Sequence, residues 1–580
     1  MSDAITRKSI TQRIKRTQSA HRESKNNPLC SRRPLCKLRC PTLPKPNPAL
    51  SARRAGSMMP PMIRACLFTL LWGFLLVGCN LSRATSATDA TPVGKSSLRL
   101  EALQQQATPL TVPSEDKPTQ PPPDPKPDFC PQALPEMARR IQAEVRVDFA
   151  AREAEVSQVI TYHNLEAAPL HTLILDVQAN QWEGSFALLS LRVNGESAEY
   201  QLELNRLDIQ LATALQPGCW LELALTFQLR PSAIREGLRA YRGFFGHSPR
   251  QLNLSHFLPT VAARLSGEWR IHQPSGIGEQ IVYAQADWRV HITAINASES
   301  LQLAAPGLVT RLGTGQWLVE LPASRDFAIS LSEEFTLVER EVAPGLTVAV
   351  YHFADAQVYA GGSSLDSISH LMAEAGKALE LFAGAFGAYP YERFVIVQGD
   401  FPDGMEFTGL VFVGSAWFYG YDGGPKNYLT LIAVHEIAHQ WWYARVGSDS
   451  ALNPWLDEAL ATYSEYLYIE AFYPAERNWW WSFRVAGFFP QGKVDSAVYE
   501  FTSSRAYINA IYLRGVQMLQ NLRDDIGDAA FMRLLGQYSQ AAAGKIVDPA
   551  YFWSLLPAEA QPLTQSTRAE FLRQPDLAGQ

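Results

Sequence analysis

The hydrophobic pattern of this chain changes period once, and that change limits the fold more than anything else in the sequence. Between about residues 140 and 335, short runs alternate apolar and polar residues, as in Glu155–Tyr162 and Trp220–Phe227, with the tight-turn pair Asn194-Gly195 between them. Period two puts one face of each strand on a core and the other in water, which predicts antiparallel sheets. After Pro344-Gly345 the apolar residues of Leu365–Phe386 recur at helical spacing, Tyr389-Pro390-Tyr391 ends that helix, and Phe394-Val395-Ile396-Val397 reads as a buried strand. Further helices are expected around 428–445, 455–472 and 505–540. No internal repeat is evident. With 580 residues the chain exceeds what one core supports. The expected fold is multidomain: an all-β antiparallel, saddle- or sandwich-like domain over 136–340, then an α+β domain over 341–580.

The first 135 residues are a different material. Residues 1–57 carry fourteen Lys/Arg against Asp3 and Glu23 and no Phe, Trp or Tyr. Met62-Ile63-Arg64 leads into the uncharged run Ala65–Gly78, too short to span a bilayer and followed by Cys79. Leu76-Val77-Gly78-Cys79 resembles a bacterial lipobox, which implies a signal peptide over 58–79, cleavage before Cys79, lipidation of its thiol and a lipid anchor on the extracytoplasmic side of a bacterial membrane. Residues 1–57 then stand upstream of the expected start at Met58, Met59 or Met62. Residues 80–135 hold Gln104-Gln105-Gln106 and the Pro121–Pro127 run, which reads as an extended tether. Cys130 and Cys219 are the two thiols left in the exported part, and two exported thiols suggest a disulfide. After residue 79 acidic groups outnumber basic ones by nineteen, which excludes a nucleic-acid partner for the body.

His435-Glu436-Ile437-Ala438-His439 carries the chemistry. On a helix, positions i and i+4 lie one above the other, so two imidazoles converge on one point where a divalent ion can bind. Glu458 follows eighteen residues after His439, in Trp455–Tyr463, on a second and amphipathic helix that can return antiparallel. Two His and one Glu make a three-ligand zinc site with an open fourth position, the arrangement of a catalytic rather than a structural zinc. Histidines 163, 171, 247, 256, 272 and 291 lack ligand spacing and read as ordinary strand and loop residues.

These helices resemble those of the aminopeptidase N family of gluzincin zinc peptidases. The resemblance extends to Asp403-Gly404-Met405-Glu406-Phe407, similar to the family's Gly-Ala-Met-Glu-Asn segment, and to Tyr512-Leu513-Arg514-Gly515, similar to its Tyr-x-Lys-Gly motif. It covers about 140–540, including His256–Pro259 and Gly267–Trp269 in the β-rich stretch. The resemblance implies a thermolysin-like catalytic domain and one zinc ion per chain on His435, His439 and Glu458. It implies Glu436 as general base and then acid, and Tyr512 as donor to the developing oxyanion, with Tyr507 the neighbouring candidate. It also implies binding of a peptide's free α-ammonium by Glu406 together with Gly404 and Met405. The expected partners are peptides or proteins with free N-termini, and the membrane through the N-terminal lipid. Phe407 stands where the family has Asn and Asp403 where it has Gly, and Arg514 replaces a lysine. If Phe407 disrupts amine capture, the alternative is an endopeptidase; an envelope binding lipoprotein without turnover is a third reading. About 70 residues follow Tyr512, too few for the large helical domain that closes many family sites, so a more open cleft is expected.

Overall fold

A computed structural model describes residues 130, 138–234, 243–360 and 363–575. Residues 1–57, the signal segment with Cys79, and the tether apart from Cys130 lie outside the described residues.

The first half is built of sheets. Eight strands form the largest, with Arg139–Asp148, Glu153–His163 and Trp220–Leu229 side by side at its centre. Burial alternates residue by residue along Arg139–Asp148 and Trp220–Leu229, so one face lies on the core and the other meets solvent. A four-stranded sheet, a five-stranded sheet and the two-stranded hairpin Ala263–Leu265 with Glu268–Arg270 complete the sheets described in this domain. Two pairs depart from the expected antiparallel pattern: the short Ser232–Ala233 runs parallel to Gly246–His247, and Arg139–Asp148 runs parallel to Ala286–Ile295. A parallel pair needs a long crossover, and most of the domain lies between the latter two strands in sequence. Cys130 is joined by a disulfide to Cys219, which fixes the described end of the tether on this domain.

The second half begins with a five-stranded mixed sheet whose edge strand is Gly404–Phe407. Arg393–Gly399 lies within it, flanked by parallel neighbours on both sides. Its Phe394 and Ile396 pack on the helices of this half, whereas Val395 and Val397 belong to the core of the β domain. Being covered on both faces explains its unbroken apolar run. Asp366 caps Ser367–Phe386 by accepting the Ser369 N–H, and Asn427 caps Tyr428–Ala438 through Thr430 N–H. Among the described residues no helix is long and apolar enough to cross a membrane.

Three helical expectations need correction. The stretch expected as one helix over 428–445 is a helix only to Ala438; Gln440–Arg445 forms a wide π-type turn in which Trp442 and Tyr443 leave helical geometry. The carbonyls freed there are taken by Arg325 of the β domain, whose fully buried guanidinium donates to Tyr443 O at 2.7 Å, Ala444 O at 3.1 Å and Arg445 O at 3.2 Å, and from outside the turn also binds Tyr283 O and Lys545 O, each at 2.7 Å. The 505–540 stretch divides into Ser504–Ile508, a wide turn Asn509–Leu513, Arg514–Ile526 and Asp528–Ala541, broken at Gly527 with φ 82°. Trp455–Phe472 is not amphipathic: from Trp455 to Ile469 every residue is buried, because this helix is wrapped by its neighbours on all sides.

Candidate functional site

His435 lies in the last turn of Tyr428–Ala438 and His439 caps its C-terminus, still in helical geometry. The offset of four therefore survives although the helix ends there. Glu458 arrives from the first turn of Trp455–Phe472 and brings Oε2 to 3.3 Å from His435 Nε2 and 3.6 Å from His439 Nε2. All three side chains are buried, and their donor atoms lie within 4.8 Å of one another. Two imidazole nitrogens and a carboxylate oxygen facing one point suit zinc, and the remaining ring nitrogens are oriented as such a centre requires. His435 Nδ1 is 3.0 Å from Glu465 Oε1, and His439 Nδ1 is 2.6 Å from Asp457 Oδ1. Glu465 is itself held by two hydrogen bonds from Arg484, at 2.9 and 2.8 Å, and by the Trp480 indole at 3.3 Å. One helix thus supplies the third ligand and the orienting carboxylates of both histidines.

Glu436 stands beside this set with Oε2 free of hydrogen-bond partners. Burial lifts its pKa to about 7, while the neighbouring His435 and His439 pull it down. It can come close because Gly404 has no side chain: a Cβ there would collide with Glu436 Oε1. Tyr512 stacks on His435 with ring centres 5.9 Å apart and donates its hydroxyl to Glu458 Oε1. Burial, then the Glu458 charge, pushes this phenol well above its ordinary pKa, so it stays a proton donor. Tyr507, the neighbouring candidate, is buried edge-on to Tyr512 with its hydroxyl beside Gly278. Arg514 lies off the site, stacked 4.0 Å over Phe571.

Glu406 is buried, with Oε1 lacking a hydrogen-bond partner and 3.9 Å from His439 Nδ1. Burial raises its pKa well above the carboxylate range; His439 opposes this, and Asp457, Glu458 and Glu436 add to it. Met405, expected to bind substrate, does not face the site. Along Gly404–Phe407 side chains alternate, so Met405 and Phe407 turn into the core shared with the β domain while Gly404 and Glu406 face the zinc helix. Phe407 packs against Phe244, His256 and Phe412, with ring centres 6.0, 4.9 and 5.9 Å away. The residue that departs from the family pattern is therefore a core residue and leaves Glu406 unobstructed. Gln440 fixes this strand to the zinc helix, accepting from Gly409 N at 2.8 Å and donating to Phe407 O at 3.0 Å.

Sequence reasoning missed Glu279. This residue of a β-domain loop has its pKa raised well above the usual range by burial and then by Glu406, Asp457 and Glu458, and its Oε2 lacks a partner. No periodicity marks it. Asp457 and Glu465 had a signal, being adjacent to and two turns beyond Glu458 on one helix. His256 is an ordinary core histidine, as expected: burial lowers its pKa to about 3, so it is neutral.

Residues 371–567 match the Peptidase family M1 domain. That stretch is similar to the M1 domains of the aminopeptidase N-like gluzincins. The chain is 28% identical over 199 residues to Aminopeptidase M1-B of Oryza sativa subsp. japonica, covering 32% of this chain and 23% of that protein. It is 26% identical over 239 residues to Aminopeptidase M1 of Arabidopsis thaliana, covering 39% of this chain and 26% of that one. It thus spans only a minor part of the length of these relatives. In fold it resembles the M1 zinc metallopeptidase from Deinococcus radiodurans, with a TM-score of 0.56 at 18% identity, covering 76% of this chain and 95% of that one. The β-rich domain followed by the M1 domain is the architecture of such two-domain metallopeptidases.

Proposed function

We propose that this protein is a zinc-dependent aminopeptidase that removes N-terminal residues from peptides. The observation that carries the reading is a pair of carboxylates on opposite halves of the molecule, Glu406 and Glu279, each with one oxygen that lacks a hydrogen-bond partner, Glu406 grouped with Glu436 and His439 and Glu279 sensing the charges of Glu406 and Glu458. Carboxylate oxygens without partners call for a cation, and the α-ammonium of a peptide would supply one beside Glu436, whose ligand atom lies within 4.8 Å of that of Glu406. Zinc, one ion per chain, would be held by His435, His439 and Glu458 and would supply Lewis acidity to the scissile carbonyl. Glu436 Oε2 takes a proton from the attacking water and delivers it to the leaving amine. The Tyr512 hydroxyl donates to the oxygen on which negative charge develops, an interaction stronger in the transition state than in the ground state. Phe407, turned into the core, gives no support to the endopeptidase alternative.

The proposed location is the extracytoplasmic face of a bacterial membrane, held by lipid on Cys79. The lipobox pattern supports it, and the Cys130–Cys219 disulfide fits an oxidising compartment.

Incubating the purified protein with aminoacyl fluorogenic amides and N-acetylated peptides, before and after chelation, tests the activity. Free-amine substrates alone should be cleaved, and Glu436→Gln should abolish turnover with zinc content unchanged. Preference for blocked substrates, or activity that survives chelation, would refute the reading. Expression in a bacterial host with labelled palmitate tests the anchor: label that persists in Cys79→Ser would remove it.

A further inference from the structure

Resting on the aminopeptidase reading, a substrate preference can be assigned: we propose that the Asp403 carboxylate binds the side chain of the substrate's second residue and selects peptides with lysine or arginine there. The strand that carries Glu406 places it. Gly404–Phe407 is the edge of its sheet, paired on one side only, with Leu410–Gly414. Gly404 packs directly under the Glu436 carboxylate, so a peptide with its amine at Glu406 and its first peptide bond at Glu436 runs along this edge from Glu406 toward Gly404. The next residue in that direction is Asp403. Two strand steps, ~7 Å, separate Glu406 from Gly404, and Asp403 lies one Cα step, ~3.8 Å, beyond. The substrate's second residue begins only ~3.4 Å past its amine, so a side chain of lysine or arginine length is what spans the remainder.

Asp403 is held in place and has nothing of its own to bind. Its carbonyl accepts the Gly414 N–H at 2.7 Å, which ties its backbone to the neighbouring strand. Its φ is 67°, a left-handed conformation that glycine, the residue of the family pattern at this position, adopts freely and that aspartate adopts only with strain. Strain kept one residue from the catalytic base points to a use for the side chain. Among the described residues its carboxylate makes no hydrogen bond or ion pair. Arg484 and Arg505 attract it, but Arg484 is committed to Glu465 at 2.8 Å and Arg505 lies 4.6 Å over the Phe488 ring. Solvent reaches Asp403, yet the protein around its carboxyl is dense enough to raise its pKa, the situation of a group inside a cleft rather than on an open surface. A cationic side chain brought by the substrate is the partner such a group lacks.

The test is release of the first residue from tripeptides Ala-X-Ala by the zinc-loaded enzyme, with X lysine, arginine, the uncharged norleucine, alanine or glutamate. In wild type kcat/KM for lysine should exceed that for norleucine by about threefold to tenfold, with glutamate lowest, and the gap should shrink as salt is raised. Asp403→Asn should bring the lysine-to-norleucine ratio near one, and Asp403→Lys should invert the order of lysine and glutamate. Each ratio is internal to one enzyme, so lowered stability or turnover of a variant does not mimic the effect. Equal rates for lysine and norleucine in wild type, or an unchanged ratio in Asp403→Asn, would overturn the proposal. If wild type releases the first residue from no member of the series, the aminopeptidase reading itself fails and the assignment of Asp403 falls with it.

Discussion

Replacing Glu406 by Gln removes one charge from a buried position and little else, because Gln keeps the size and the strand is held independently by Gln440. If Glu406 binds the substrate ammonium, the loss is that of a charge-assisted hydrogen bond, about 1.5–3 kcal/mol, or roughly tenfold to hundredfold in kcat/KM. The lower part of that range is expected, since Glu279 remains beside it and burial already works against ionisation of both carboxyls. The assay is kcat/KM on alanyl amides against N-acetyl-alanyl peptides. The gap between them should narrow in Glu406→Gln and close further in the Glu406→Gln, Glu279→Gln double variant, with a coupling above about 0.5 kcal/mol between the two sites. Equal loss on free and blocked substrates would show that Glu406 merely supports the zinc helix and would refute the role assigned to it.

Other changes probe other parts of the site. Tyr512→Phe should lower kcat by about a hundredfold to a thousandfold with KM and zinc content little changed, checked by steady-state kinetics and metal analysis. Gly404→Ala places a Cβ against Glu436 and should reduce kcat while leaving bound zinc in place. Asp457→Asn and Glu465→Gln should each weaken zinc binding about tenfold to hundredfold in a chelator competition. In the metal-free protein, burial lowers the His435 pKa, but hydrogen bonds to Glu458 and Glu465 outweigh it and raise the pKa to about 9. A raised folded pKa gives stability that is complete below the usual 6.5 and lost as pH rises through about 9. Melting of the chelated protein should therefore fall across that window, and zinc loading at pH 7 should release protons, measurable by calorimetry in buffers of different ionisation enthalpy.

What could be read in the sequence followed local periodicity. His435, His439 and Glu458 were legible because helical geometry fixes where i and i+4 point, and the strand Phe394–Val397 because double burial leaves an unbroken apolar run. Glu279 and Arg325 were not, since their roles arise from contact between the two halves: one is a loop carboxylate, the other an ordinary-looking arginine at a strand end. The end of the zinc helix after Ala438 was hidden for the same reason. Its carbonyls are satisfied from residues more than a hundred positions away. Phe407 looked like damage to the amine pocket because motif comparison aligns residues without showing which way a strand side chain turns.

Arg325 and its neighbour also bear on how this molecule can be divided. Asp326 accepts the Tyr443 hydroxyl at 2.6 Å and the Thr408 N–H at 2.8 Å, so one carboxylate from the first half gauges the spacing of the metal helix and the Glu406 strand. Cutting the polypeptide at the exposed turn near Gly345 would yield two fragments, each with part of a working ruler. Such a pair is suited to a complementation reporter, silent apart and active only on reassembly.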